Sequence, residues 1–364
     1  YHGVKILLGA EDHRGGQNEN TDGWPSLVTG EMSLKAHQKD GVRFIWKRSI
    51  EAESGCVVAH CMGLGKTLEA IAVIRCIFQY GLKLRETEPQ REAKQVGQTE
   101  KQREAQSPIP KERPACVLIV APKSTIYNWR EEFQRWAAKV TVTVIDSNAS
   151  KVQRLSLLKK WYQSGGVLLL GYETFVSVCT LKREEWVEKL QSQTLTELEQ
   201  LAKERGWSPR DIEDAWRDAR PQEKLTEMLL EELNWLQNPG PDLVIVDEAH
   251  KLKDRQRQLC ARLSCIQTHR RVALTGTPFQ NNLLEYYAML DWVKPGILGT
   301  VKDYKNQYVE PIEAGQHTDS SQKDVKRMKR RAHALHNKLN QVIHRRDHTV
   351  LERDLPTKRE YVLY

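Results

Sequence analysis

The chemistry of this chain is concentrated in two short runs. The first is Ala59-His60-Cys61-Met62-Gly63-Leu64-Gly65-Lys66-Thr67, set between an apolar segment, Gly55 to Ala59, and a helical pattern, Leu68 to Tyr80. A strand that runs into a glycine-rich turn and then a helix surrounds one anion with backbone N–H groups and the positive end of a helix dipole. Gly63 and Gly65 let the backbone approach closely, Lys66 can reach the β- and γ-phosphates, and the Thr67 hydroxyl can bind Mg²⁺. The general phosphate-loop pattern has a glycine five positions before Gly65, where this chain has His60. Alone, the run therefore leaves a plain glycine-rich turn open.

The second run lies about 180 residues further on: Asp242-Leu-Val-Ile-Val-Asp247-Glu248-Ala249-His250. A short β-branched stretch that ends in two carboxylates has the pattern of a buried parallel strand delivering acids to its C-terminal edge. Nucleotide hydrolysis needs one carboxylate to hold Mg²⁺ and a polar group to orient the attacking water. Asp247 fits the first role and Glu248 the second, with Lys66 as their cationic counterpart. Acids also cap the first turn of a helix after a strand, which is the plainer account of either residue alone. With both runs present in this order, each after a strand-like stretch, the reading is a site for ATP and Mg²⁺.

These residues need a scaffold, and composition bounds it. A chain of 364 residues can form two domains or one large domain with insertions, and 39% hydrophobic content with ten Trp supports a substantial core. No apolar run approaches the roughly 18 residues of a membrane span, and no signal-peptide pattern opens the sequence. Seven scattered Cys form no CxxC pair, which reads as reduced thiols in a cytosolic or nuclear setting and not as zinc ligands. A formal charge of +8 leans toward a polyanionic partner, although 56 basic residues face 48 acidic ones.

Residues 1–33 are a polar, Gly/Asn-rich N-terminal extension. Helical periodicity begins at Leu34, and the phosphate loop follows. Segment 85–113 is charged, contains three Pro and lacks aromatics, which predicts a flexible insertion. Strands are expected at Ala115–Ala121, Val140–Ile145, Val167–Leu170, Leu243–Val246 and Arg271–Thr275, with helices at Thr125–Ala138 and about 150–163. Strands alternating with helices imply an α/β fold with a parallel sheet. A helical insertion is expected at 182–237, where Thr194 and Glu197 form a capping box and the stripe Leu190, Leu195, Leu198, Leu201 and Trp207 reads as core packing or, less simply, a partner-binding face. From about 300 the chain reads as basic and helical, with Lys323 to Arg346 either a solvated face or a phosphate-contacting one.

In order, these pieces resemble the SWI/SNF-type members of the superfamily-two helicase-related ATPases. Leu34-Lys-Ala-His37-Gln38-Lys-Asp40-Gly41 is similar to that family's adenine-reading Q motif, Met62 to Thr67 to motif I, and Val120-Ala121-Pro122-Lys123-Ser124 with Asn128-Trp129 to motif Ia. Gly171-Tyr172-Glu173-Thr174-Phe175 looks like motif Ib, Asp247 to His250 like motif II, and Leu274-Thr275-Gly276-Thr277-Pro278-Phe279-Gln280-Asn281-Asn282 like the extended motif III. His60-Cys61, where most relatives carry an Asp-Glu pair, narrows the likeness to the ATRX branch of chromatin remodellers.

The resemblance implies a RecA-like P-loop NTPase lobe: a parallel sheet flanked by helices, with helical insertions, spanning 34–296, then a basic helical protrusion at 297–364 leading to a second lobe that the sequence does not show. It implies ATP held by Gln38, Met62, Gly63, Leu64, Gly65, Lys66 and Thr67, with Mg²⁺ on Thr67 and Asp247. Lys123, Ser124, Tyr172 and Thr174 would touch the DNA backbone, where phosphates carry no sequence information. Trp129 reads as a packing residue in preference to a stacking platform. His250, Thr275 and Thr277 would couple hydrolysis to DNA, unless the two threonines only cap their turn. The implied parent is a nuclear, DNA-stimulated ATPase that translocates on double-stranded DNA and nucleosomes, with protein partners at the insertions, and the lobe alone would hydrolyse poorly. A DEAH-type RNA helicase and a nucleotide-gated docking module without turnover are the alternatives.

Overall fold

Cys116-Val-Leu-Ile-Val-Ala121 has every side chain buried, and that continuous run explains the architecture around it. A strand covered on both faces needs no polar alternation, and this is the condition of a central parallel strand. The computed structural model describes residues 34–82, 84, 114–149, 151–179, 195–204, 209, 212–213, 217, 235–237, 240–252, 258–276, 283–317 and 320–351. Its strands are β1 (Cys56–His60), β2 (Cys116–Ala121), β3 (Val142–Ile145), β4 (Gly166–Gly171), β5 (Leu243–Val246), β6 (Arg271–Leu274) and β7 (Ile343–Arg346). They form one sheet in the order β3-β4-β2-β5-β6-β1-β7, and every pairing is parallel.

The two sheet faces are read off by parity, because successive strand side chains point to opposite sides. Cys116, Leu118 and Val120 enter one core, with Trp161, Phe175, Leu263 and Trp292. Val117, Ile119 and Ala121 enter the other, with Ile45, Ile71, Ile74, Trp129 and Phe133. Burying each large aliphatic side chain of β2 contributes about 1.5–3 kcal/mol.

The second face is covered by α1 (Ala36–Ile45, continued by a π turn at Trp46–Glu51), α2 (Lys66–Gln79) and α3 (Ile126–Trp136). The first is covered by α4 (Lys151–Ser164), α5 (Tyr172–Cys179), α7 (Gln258–Ser264) and α8 (Leu283–Val293), while α6 (Leu195–Glu204) lies within the 182–237 insertion. Within the Leu/Trp stripe of that insertion, Leu198 is fully buried, as core packing requires. Thr194, Trp207 and all of 85–113 lie outside the described residues. The start of β6 is fixed by Arg271, whose buried guanidinium donates to the carbonyls of Ile266 (2.6 Å), Thr268 (2.8 Å) and Trp292 (2.8 Å).

After α8 come α9 (Val301–Tyr304), a π turn (Lys305–Val309), α10 (Glu310–Ala314) and α11 (Gln322–Leu339). The basic segment expected to be helical as far as Arg346 is not helical throughout. Helix α11 ends at Leu339, and Ile343-His344-Arg345-Arg346 is a strand paired with β1, so the chain returns to the sheet. Two arginines and a histidine hid it, because a strand with one neighbour tolerates polar side chains that a central strand does not. The seven cysteines form no disulfide, and no described helix is long and apolar enough to cross a membrane.

Candidate nucleotide site

In a parallel sheet all C-terminal strand ends share one edge, so β1, β6 and β5, three consecutive strands in space, deliver the phosphate loop, Thr275 and Asp247 side by side. The loop runs from His60 to Lys66, where α2 begins. Gly65 precedes the helix in the left-handed region (φ 89°), and a Cβ there would meet Gln38 Nε2 at 2.2 Å. Only glycine fits both conditions. Gln38 explains the crowding: its Oε1 accepts from Lys35 N (3.0 Å) and its Nε2 donates to the Leu64 carbonyl (3.0 Å), which His37 Nε2 also approaches (3.1 Å). The amide expected to read a base is thus engaged with α1's first turn and the loop itself.

Lys66 rests against the loop. Its Nζ donates to the carbonyls of His60 (2.9 Å) and Cys61 (3.4 Å). Burial pulls its pKa below the usual lysine range, while the nearby carboxylates of Glu248 and Asp247 act in the opposite direction. The strand order puts cation and acids at one sheet edge. A Cβ at Gly276 would lie 3.5 Å from Lys66 Nζ, so the loop after β6 also closes on the ammonium.

Asp247 is held from several directions. Its Oδ2 accepts from the indole N–H of Trp129 (2.9 Å), its Oδ1 from the Glu248 N–H (2.9 Å), and its own N–H donates to the Val120 carbonyl (2.9 Å). The Tyr172 hydroxyl donates to its carbonyl oxygen. Glu248 is one of two non-glycine residues with left-handed backbone among the described residues (φ 48°), a conformation sustained only where surroundings impose it. Its Oε2 lies 3.2 Å from His250 Nδ1, close enough for an ion pair but not aligned for a hydrogen bond, and is otherwise a buried acceptor without a partner.

The donor set suits a hard cation and a polyphosphate. Gly63 and Gly65 both have positive φ, the loop opens onto the α2 N-terminus, and Thr67 and Asp247 offer oxygen ligands. No cluster of three or more His, Cys, Asp or Glu able to hold a metal occurs among the described residues. A Mg²⁺ here would therefore take most of its ligands from phosphate and water, as that ion commonly does.

The other expected residues divide. Lys123 and Ser124 are exposed on the turn that opens α3, as a phosphate contact requires. Thr174 is buried (6% exposed) and Tyr172 is engaged with Asp247, so the structure turns both inward and offers little of either to a DNA backbone. Thr275 is fully buried, with its N–H on the Val58 carbonyl (3.0 Å), and Thr277 lies outside the described residues.

The histidine standing in the glycine's place proves structural. His60 is fully buried, its Nδ1 3.0 Å from Glu69 Oε1 and its Nε2 2.8 Å from His344 Nδ1. Burial pushes the Glu69 carboxyl up to about 9 and both histidines down to about 4, so all three are neutral near pH 7. Sequence reasoning missed Glu69, although a lone acid in the otherwise apolar run Leu68–Ile74 was a visible signal. It gave no sign of His344.

The family model described as SNF2-related domain matches residues 37–364. Curated relatives include the Drosophila melanogaster transcriptional regulator ATRX homolog (35% identical; 91% of this chain, 21% of that protein) and the Arabidopsis thaliana protein CHROMATIN REMODELING 20 (32%; 91% and 18%). Mouse helicase ARIP4 is 34% identical over 95% of this chain and 22% of its own length. The chain thus spans about a fifth of these relatives. Among solved structures, the Sulfolobus solfataricus SWI2/SNF2 ATPase core in complex with dsDNA superposes with a TM-score of 0.52 at 18% identity, over 90% of this chain and 47% of that one, a likeness of fold.

Proposed function

The chain belongs to the family of SNF2-related domains, and from that membership and the geometry of the site we propose that it is the first, nucleotide-binding lobe of an ATP-driven motor that translocates on double-stranded DNA and remodels chromatin in the nucleus. The observation that carries the reading is the convergence of Lys66, Asp247 and Glu248 at one sheet edge, with Lys66 and Asp247 held by hydrogen bonds and the Glu248 carboxylate 3.2 Å from His250 Nδ1. Lys66 and the loop amides bind the phosphates, and Thr67 with Asp247 would hold Mg²⁺, which would supply neutralisation of charge on the phosphoryl oxygens. Glu248 orients the attacking water and His250 steadies Glu248. Thr275, at the end of the strand between those of the acids and the phosphate loop, and Thr277, by its place in the motif, pass the state of the site to the DNA face.

Exposed Lys123 and Ser124 support contact with phosphate, and so does α11. That helix carries seven Lys/Arg against one acid, and none of the seven pairs with an acid among the described residues. The RNA-helicase alternative is set aside: Asp247 to His250 spells the tetrad of DEAH helicases, but the matching family is the SNF2-related one. Turnover in the isolated lobe is expected to be slow, because groups that stabilise phosphoryl transfer in trans are worth about 10³–10⁵ in rate. The deciding experiment compares ATPase rates of the full-length protein with double-stranded DNA, single-stranded DNA, RNA and nucleosomes. Stimulation by double-stranded DNA and nucleosomes is expected, and stimulation by RNA alone would overturn the proposal.

A further inference from the structure

His60 joins three parts of the lobe that the phosphate loop alone would not connect. Its ring bonds Glu69 of α2 on one side (3.0 Å) and His344 of β7 on the other (2.8 Å). Room for the Glu69 carboxyl is made by Gly41 of α1, where a Cβ would come within 2.3 Å of Glu69 Oε2. His344 in turn stacks on Phe44 of α1, ring centroids 5.2 Å apart, and two residues later Arg346 reaches Asp40 of the same helix (3.3 Å). The main chain runs parallel to this side-chain path, since the Cys61 N–H donates to the Arg346 carbonyl (3.0 Å). The end of the path is the carbonyl of His60 itself, which accepts from Lys66 Nζ (2.9 Å).

We propose that the Glu69–His60–His344 chain positions the phosphate loop from β7, which makes His344 a positioning residue for nucleotide binding some 280 residues from the loop in sequence. Whatever displaces β7 displaces His60, and His60 decides where the Lys66 ammonium rests. The inference rests on the reading of Lys66 as the phosphate-binding cation.

The test uses the full-length protein, with ATP turnover and binding of a fluorescent ATP analogue as readouts. His344→Leu keeps the volume against Phe44 but removes the partner of His60 Nε2. His344→Asn places an amide where Nδ1 stood. Losing one hydrogen bond predicts a KM for ATP about five-fold higher in the Leu variant, with kcat nearly unchanged and a matching fall in analogue affinity. The Asn variant should lie within about two-fold of the parent. Should the Leu variant not fold, His344→Gln, whose amide is set one bond too far out, serves in the same comparison. Equal KM in all variants, or a loss of folded protein with unchanged KM, would overturn the inference. Lys66→Ala separates the two ideas: analogue affinity unaffected by that change would remove the phosphate-loop reading itself, whereas a dead Lys66→Ala beside an unaffected His344→Leu removes only the coupling.

Discussion

The indole N–H of Trp129 donates to Asp247 Oδ2 at 2.9 Å, and both residues are buried. Trp129 is a packing residue, as the helical pattern of α3 suggests, but one edge of its ring also sets the rotamer of a proposed magnesium ligand. Trp129→Phe retains the apolar ring and removes the donor. Folding stability should fall by about 1–3 kcal/mol, the cost of leaving a buried charged acceptor short of a partner. In the full-length enzyme the Mg²⁺ concentration for half-maximal ATPase should rise. An unchanged Mg²⁺ titration would mean that Asp247 is oriented adequately by the other bonds around it.

Lys66 and Glu248 should separate binding from turnover. Lys66→Ala removes the cation against which the phosphates are compensated, and calorimetric titration should show no measurable ATP binding. Glu248→Gln preserves shape but not the carboxylate, so ATP should still bind while hydrolysis is lost. Normal turnover in that variant would assign the water-orienting role to another group.

Helix α11 carries uncompensated positive charge, including like-charged neighbours at Lys323 and Arg327, Lys326 and Arg330, and Arg327 and Arg331, an arrangement that weakens an isolated helix. A phosphate backbone would relieve it. Replacing Lys326, Arg327 and Arg330 with Gln should reduce the slope of log affinity for duplex DNA against log salt by up to about 0.9 for each phosphate no longer neutralised. An identical slope would make the helix a solvated face.

The Glu69–His60–His344 cluster gives the chain a distinctive acid–base profile. The histidines titrate near 6.5 when unfolded and about 4 when folded, so the unfolded chain binds more protons in that interval and stability is lost as pH falls through it. Glu69 moves the other way, from 4.5 to about 9, so its contribution is lost as pH rises toward 9. Two histidines outweigh one carboxyl below 6.5, which puts the cluster's optimum near that pH. Urea denaturation across pH 5–9 tests this: Glu69→Gln should flatten the alkaline limb and His344→Asn the acid one. Parallel curves for parent and variants would mean the cluster does not titrate in this way.

Much of this architecture was readable because β1, β2, β4, β5 and β6 are buried on both faces and therefore spelled in largely unbroken apolar residues. The phosphate loop and the acidic pair were readable because their chemistry is local, a few adjacent residues doing one job. What escaped is non-local. Trp129 and Asp247 are 118 residues apart and His60 and His344 are 284 apart, and only the strand order brings each pair together. The inward turn of Tyr172 and Thr174 escaped for a related reason, since a motif names a residue without saying which way its side chain points.

Among the described strands, β7 is also an outer margin of the sheet, with β1 as its one strand neighbour. Such a margin is a template on which a foreign strand can add, and proteins discourage this with charge. Arg345 and Arg346 set two cations on this short strand. Replacing them with valine would give β7 the apolar character of the inner strands and, with it, a surface prone to self-association. The polarity that hid β7 in the sequence is thus also its protection against aggregation.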